Sequence, residues 1–178
     1  MKLSLTKEEF IAATQTANLI TVSTELTMDL DTPVSIYYKL VGEKKGYIME
    51  SVDTTQQQFG RYSFIGGEPF VRVQVFADKL LINENGLMKS IVGAPHETMK
   101  AYAARFTPAV TDGETLPLVH GGLAGYFTYE TAATFDRVRG VEIGAEELLG
   151  QFMMCRYLVV YDALKNSARL HYLADVRE

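Results

Sequence analysis

The spacing of apolar positions changes several times along the chain, and each change marks an element. Thr6-Lys7-Glu8-Glu9 has capping-box spacing, and Phe10, Ala13 and Ala17 follow at i, i+3 and i+7, which predicts a short first helix. Ile20, Val22, Thr24, Leu26 and Met28 then alternate, the signature of a half-buried strand. Asp31-Thr32-Pro33 reads as a cap with proline in the first turn. Ile36, Tyr37 and Leu40 mark one face of the helix that follows, and Gly42 can close it. From there the chain is mostly strand. Runs at 47–52, 70–76 (with Val71, Val73 and Val75 alternating), 79–83 and 87–91 are expected, the last two joined at Asn85-Gly86, a strong short-range hairpin signal.

Pro95 opens a third helix with Met99, Tyr102, Ala103 and Phe106 on one face. Residues 107–117 are rich in Pro, Thr, Asp and Gly and read as an exposed loop, after which His120-Gly121-Gly122 begins a glycine-rich segment. Two further strands, 152–161 and 168–174, meet at a turn near Lys165-Asn166. Local hairpins dominate, there is no βαβ rhythm, and no segment repeats. The expected class is therefore α+β, a mainly antiparallel sheet or sandwich with a few helices.

Composition narrows what such a fold can do. A chain of 178 residues suits one domain, or one lobe of something larger. A net charge of -5 without a basic run argues against nucleic-acid binding, because phosphate contact depends on Lys and Arg. The one cysteine, Cys155, rules out an internal disulfide and fits a reducing compartment. The first residues turn charged before an apolar signal core can form, and no run is long enough to span a bilayer. A soluble, cytoplasmic protein with no membrane partner is expected.

Most familiar catalytic patterns are missing. His96, His120 and His171 are far apart and outside any metal-ligand spacing, and read as ordinary surface or half-buried histidines. Cys155 lies in the apolar run Phe152-Met153-Met154-Cys155 and reads as a buried thiol. The glycines of "GGLAGYF" do not have dinucleotide-fingerprint spacing; they mark a packing crossover, or a backbone that approaches a ligand or partner beside Tyr126, Tyr129 and Glu130.

One stretch is less ordinary. "YIMESV" places Glu50 and Ser51 where a buried strand should continue, and "GRYSFIGG" follows with Arg61, Tyr62 and Ser63. The bland reading is a strand with one wet face and Glu50 outward. The alternative is a pocket edge. If residues 47–52 and 61–66 pair, a carboxylate, two hydroxyls and a guanidinium could converge on a small zwitterion, whose ammonium needs an acceptor and whose carboxylate needs donors.

Taken together and in order, "TPVSIYYKL", "YIMESV", "GRYSFIGGEP", "GGLAGYFTYE" and "FMMCRYLVVYDALKNSARLHYL" resemble the N-terminal region of anthranilate synthase component I. That enzyme lies in the chorismate-utilising family, which also contains aminodeoxychorismate synthase component I. The resemblance implies a single N-terminal domain, residues 1–178, of a longer synthase. The parent enzyme, a lyase, makes anthranilate from chorismate with ammonia delivered from glutamine by an amidotransferase subunit, in tryptophan biosynthesis. Chorismate and Mg²⁺ would bind in a C-terminal catalytic half absent here, so no catalytic, cofactor or metal residues are expected in this chain and the fragment alone should be inactive.

The resemblance also implies part of a tryptophan feedback site. Met49, Glu50 and Ser51 match the strand that lines it, with Ser51 foremost. Arg61, Tyr62 and Ser63 match the motif that follows, and Gly121, Gly122 and Tyr126 rank below them. Met49 stands where leucine is usual and Glu130 where aspartate is common. Two other readings stay open: the matching lobe of aminodeoxychorismate synthase, and a free-standing amino-acid-binding module.

Overall fold

The computed structural model describes residues 2–28, 30–50, 60–109, 121–144 and 146–177. Its elements are α1 (Lys7–Ala13), β1 (Leu19–Thr27), α2 (Pro33–Leu40), β2 (Gly46–Met49), β3 (Tyr62–Val75), β4 (Lys79–Glu84), β5 (Leu87–Val92), α3 (Pro95–Ala103), β6 (Ala124–Phe127), β7 (Gly150–Asp162) and β8 (Ser167–Asp175), with a 3-10 turn at Tyr129–Thr134. The ladders β1–β8, β2–β3, β3–β4, β4–β5, β6–β7 and β7–β8 are all antiparallel. The expected α+β, mainly antiparallel class is what the chain adopts.

The chain divides into two compact units, and β3 and β7 run through both. The first unit comprises Met1–Pro69, Thr107–Gly121 and Cys155–Glu178. Its long ladder joins β1 to β8, from Leu19 opposite Asp175 to Thr27 opposite Ser167. Ile36, Val41, Ile65, Val159, Tyr161 and Ala168 form its apolar cluster, with Ile48 and Leu170 against it. Helix α2 reaches that cluster because Thr32 caps it reciprocally with Ser35, proline fills its first turn, and Gly42 ends it at φ +57°. Leu40, expected on the buried face, is exposed; Val41, one residue later, takes the core position instead.

The second unit comprises Phe70–Phe106 and Gly122–Met154. Val71, Val73 and Val75 of β3 share a face with Leu80 and Ile82 of β4, and all five are buried. Tyr102 and Phe106 meet edge to face at 5.7 Å, and Phe106 meets Phe70 at 6.4 Å. The β4–β5 hairpin turns at Asn85 and Gly86, with φ of +50° and +86°, the twist a two-residue turn needs.

Several boundaries differ from the sequence expectation. The strand expected at 47–52 ends at Met49. The runs expected separately at 61–66 and 70–76 are one strand of 14 residues, β3, which passes Pro69 with Glu68 at φ +54°. The expected loop at 107–117 falls largely outside the described residues. Its first part is tied down, since Asn18 and Leu19 both donate to the Thr107 carbonyl, at 3.0 and 3.1 Å.

Candidate functional site

Only the apolar part of the pairing expected between 47–52 and 61–66 is present among the described residues, and the ladder stops at Met49 and Phe64, short of the polar residues. Gly46, Tyr47, Ile48 and Met49 of β2 lie opposite Gly67, Gly66, Ile65 and Phe64 of β3. Gly66 must lack a side chain here, because a Cβ would sit 2.3 Å from the Tyr47 ring. Directly opposed residues share a face, so Ile48 and Ile65 point to the apolar cluster while Met49, Phe64 and Tyr62 lie on the other side. Met49 is exposed, and so is Glu50, which follows the end of the strand. Ser51 lies outside the described residues.

Arg61 has a different geometry from a free ligand-binding arginine. Its Nε donates to Asp162 Oδ1 at 2.9 Å and its Nη2 to Oδ2 at 2.6 Å, a two-pronged ion pair. The Asp162 side chain is only 6% exposed. It also accepts the main-chain N–H groups of Leu164 and Lys165, so it organises the β7–β8 turn as well. The hydrogen bond from Arg61, above all, holds the Asp162 carboxyl below its ordinary range, against the opposing pull of burial. The guanidinium carbon lies 4.9 Å from the centre of the Tyr62 ring.

Tyr62 and Asp162, with Glu25, Arg169 and His171, line a cavity of about 30 Å³ on that face of the first unit. This is room for about one water, not for an amino acid. Ser63 is buried and faces the opposite side from Tyr62, as successive strand residues must. The structure thus places Met49 and Tyr62 on one face, Ser63 on the other, and gives the Arg61 guanidinium to Asp162. The sequence offered no signal for Asp162, which stands 101 residues from Arg61.

The remaining candidates are quickly placed. Cys155 is buried, and burial pushes its thiol up to about 12, leaving a poor nucleophile. His171, expected to be a surface or half-buried histidine, is buried at 3% exposure. His96 stacks on Phe135 at 4.8 Å, and His120 lies outside the described residues. Gly121 has φ +109°, and a Cβ there would sit 2.3 Å from Leu19 Cδ2, so its glycine serves packing. Tyr126 is exposed on β6. Among the described residues, no three His, Cys, Asp or Glu side chains gather into a metal-holding group. No helix among them is long and apolar enough to cross a membrane.

No family model matches the chain. Relatives do. Anthranilate synthase component 1 of Neisseria gonorrhoeae is 34% identical over 182 residues, covering 96% of this chain and 36% of that protein. The chain is similar to anthranilate synthase component 1. The Acetivibrio thermocellus anthranilate synthase component 1 is 30% identical over 163 residues, covering 89% of this chain and 32% of that protein. The crystal structure of anthranilate synthase component I from Streptococcus pneumoniae TIGR4 aligns with 84% of this chain and 31% of its own, at a TM-score of 0.44 and 20% identity. The chain therefore spans about a third of the length of the curated anthranilate synthase relatives it matches.

Proposed function

We propose that this chain is the N-terminal, non-catalytic lobe of an anthranilate synthase component I and supplies part of its tryptophan feedback site. The observation that carries the reading is 34% identity over 96% of the chain, compressed into 36% of the relative. Both curated relatives compared above carry the same name, which favours anthranilate over aminodeoxychorismate synthesis. Chorismate chemistry and Mg²⁺ belong, on this reading, to a second, C-terminal half, and ammonia to an amidotransferase subunit.

In the feedback site, Met49 and Glu50 stand at the exposed end of β2 and Ser51 continues from them. Ser51 hydrogen-bonds the polar head of tryptophan and Glu50 accepts from its ammonium. Arg61 acts by holding β3 against the β7–β8 turn through Asp162, which leaves Tyr62 and Ser63 as supports of the strand that borders the pocket. The inhibitor acts by favouring one of two arrangements of the complete enzyme, since its site is remote from the chemistry.

The test uses the full-length synthase. Ser51→Phe should leave anthranilate production intact and lift tryptophan inhibition. Inhibition that persists unchanged removes Ser51 from the pocket. The chain alone, given chorismate, Mg²⁺ and ammonia, should yield no fluorescent anthranilate, and a product signal would sink the lobe reading.

A further inference from the structure

The Asn85-Gly86 pair at the tip of the β4–β5 hairpin carries chemistry that turning the chain does not use. The side-chain amide carbon of an asparagine can close a five-membered ring with the next main-chain nitrogen, and a following glycine puts no Cβ in the way. Asn85 is the one asparagine of the chain that glycine follows. Both residues are exposed, and a Cβ at Gly86 would meet nothing within 4 Å, so solvent reaches the reacting atoms. Asn166 shares the positive φ, at +46°, but Ser167 follows it and brings a side chain beside the nitrogen that would attack.

The closed turn holds those atoms apart. Asn85 and Gly86 have φ of +50° and +86°, and Glu84 pairs with Leu87, so the hairpin closes on a two-residue type I′ turn. Such a turn sets ψ of its first central residue to roughly +30°. The Gly86 nitrogen then stands on the far side of the Asn85 Cα–C bond from Cβ, and the carbonyl oxygen takes the near side. Ring closure needs the reverse, so Asn85 must first leave its left-handed conformation. A second hold is the Gly86 N–H, which donates to Asn83 Oδ1 at 3.1 Å. Behind the turn, the ladder from Glu84 opposite Leu87 to Lys79 opposite Val92 and the Lys89–Glu84 ion pair oppose opening.

We propose that Asn85 is a site of spontaneous deamidation, locked while the hairpin is closed and released when it opens. In the open turn the Gly86 nitrogen gives its proton to solvent and attacks Asn85 Cγ. A C–N bond forms, the Cγ–Nδ2 bond breaks, and ammonia departs with a proton from solvent, leaving a cyclic imide. Water opens the ring at one carbonyl to give aspartate, or at the other to give isoaspartate, in which the main chain runs through the former side chain. In sum, one water is consumed and one ammonia released, and nothing is oxidised or reduced. Isoaspartate lengthens the turn by one main-chain carbon, so the two-residue geometry between Glu84 and Leu87 is lost. Either product sets a new carboxylate beside Glu84, itself ionised at neutral pH because its carboxyl lies at about 2. The change is one-way, so it accumulates with openings of the hairpin rather than with time alone.

The full chain is incubated in mildly alkaline buffer beside a synthetic peptide of residues 81–90, and peptide mapping by mass follows conversion of the Asn85 amide to the acid. Conversion in the folded chain should be about tenfold or more slower than in the peptide, and should rise to the peptide's rate in denaturant. Equal rates in folded chain and peptide overturn the lock. A denatured chain that keeps its Asn85 amide overturns the site. This comparison needs no variant. A second one probes the hold on the Gly86 N–H: Asn83→Ala removes the acceptor and should speed conversion by about threefold or more, while Asn83→Asp keeps an acceptor and the slow rate. Equal rates in those two variants overturn Asn83 as part of the lock.

Discussion

Arg61 and Asp162 show how much one ion pair can organise. The carboxylate is held by a two-pronged guanidinium and by two main-chain N–H groups of the β7–β8 turn. Asp162→Asn keeps the size but loses the charge, and leaves Arg61 facing a neutral amide. Denaturant unfolding should show a loss of about 1.5–3 kcal/mol, the scale of hydrogen bonds to a charged group in a pair that solvent still partly reaches at Arg61. A loss below about 0.5 kcal/mol would mean the pair is an ordinary surface contact. Because the Asp162 carboxyl is held below its ordinary range, the contribution is present at neutral pH and fades in acid as the carboxyl takes up a proton.

Glu84 gives the same argument with a number. Burial, its largest single influence, pushes the carboxyl up; the hydrogen bond and charge of Lys89, then Arg105 and the Tyr102 hydroxyl, outweigh it and bring it from 4.5 to about 2. A lowered carboxyl stabilises the fold above its ordinary value and loses that contribution as pH falls toward the folded value. Glu84→Gln should therefore cost about 1 kcal/mol above pH 4.5, since solvent screens its partly exposed partners, with the gap to the native chain closing between 4.5 and about 2. A gap that does not change with pH would show that shape, not charge, is what Glu84 supplies. Residues of this kind were hidden in the sequence. The Lys89–Glu84 contact spans a hairpin the sequence announces, but nothing local marks Asp162 as the partner of Arg61.

Elements were legible where their chemistry is local. Thr6 with Glu9 and Thr32 with Ser35 form the caps that start α1 and α2, and Asn85-Gly86 makes the expected turn. Extents were less legible. β2 stops at Met49 because its ladder with β3 closes there, and β3 continues past a proline because Glu68 adopts a left-handed conformation. The short strand β6 was missed, since four residues with two faces in water carry no alternation to read. Its glycine has a clear purpose. A Cβ at Gly125 would fall 2.0 Å from the Gln151 carbonyl oxygen. Gly125→Ala should force β6 off β7 at a cost of about 1–3 kcal/mol, with faster amide exchange confined to Ala124–Phe127 and its β7 partners. Unchanged exchange there would mean the backbone yields instead.

At the scale of the molecule, the class followed from hairpin density and the absence of βαβ units, but the pairing of distant strands did not. β1 and β8 have no signal that joins them, because antiparallel register over that separation is set by which faces become buried. The candidate site divides the same way. The β2–β3 pairing could be anticipated, whereas the opposite faces of Tyr62 and Ser63 and the commitment of Arg61 to Asp162 emerge only once the strands are in place. A chain stopped before Ser167 should leave β1 with no strand partner. Circular dichroism and limited proteolysis should then show the first unit unfolded, and a protease-resistant product that retains Leu19–Thr27 would contradict the ladder.

That ladder also bears on how the chain is made. The ribosome releases β1 well before β8, so during synthesis Leu19 and Ile20, both fully buried once the ladder has formed, wait in the open until β8 has been made. For that interval the nascent chain displays an unsheltered apolar strand, and a holding chaperone is the natural custodian of it until β8 arrives.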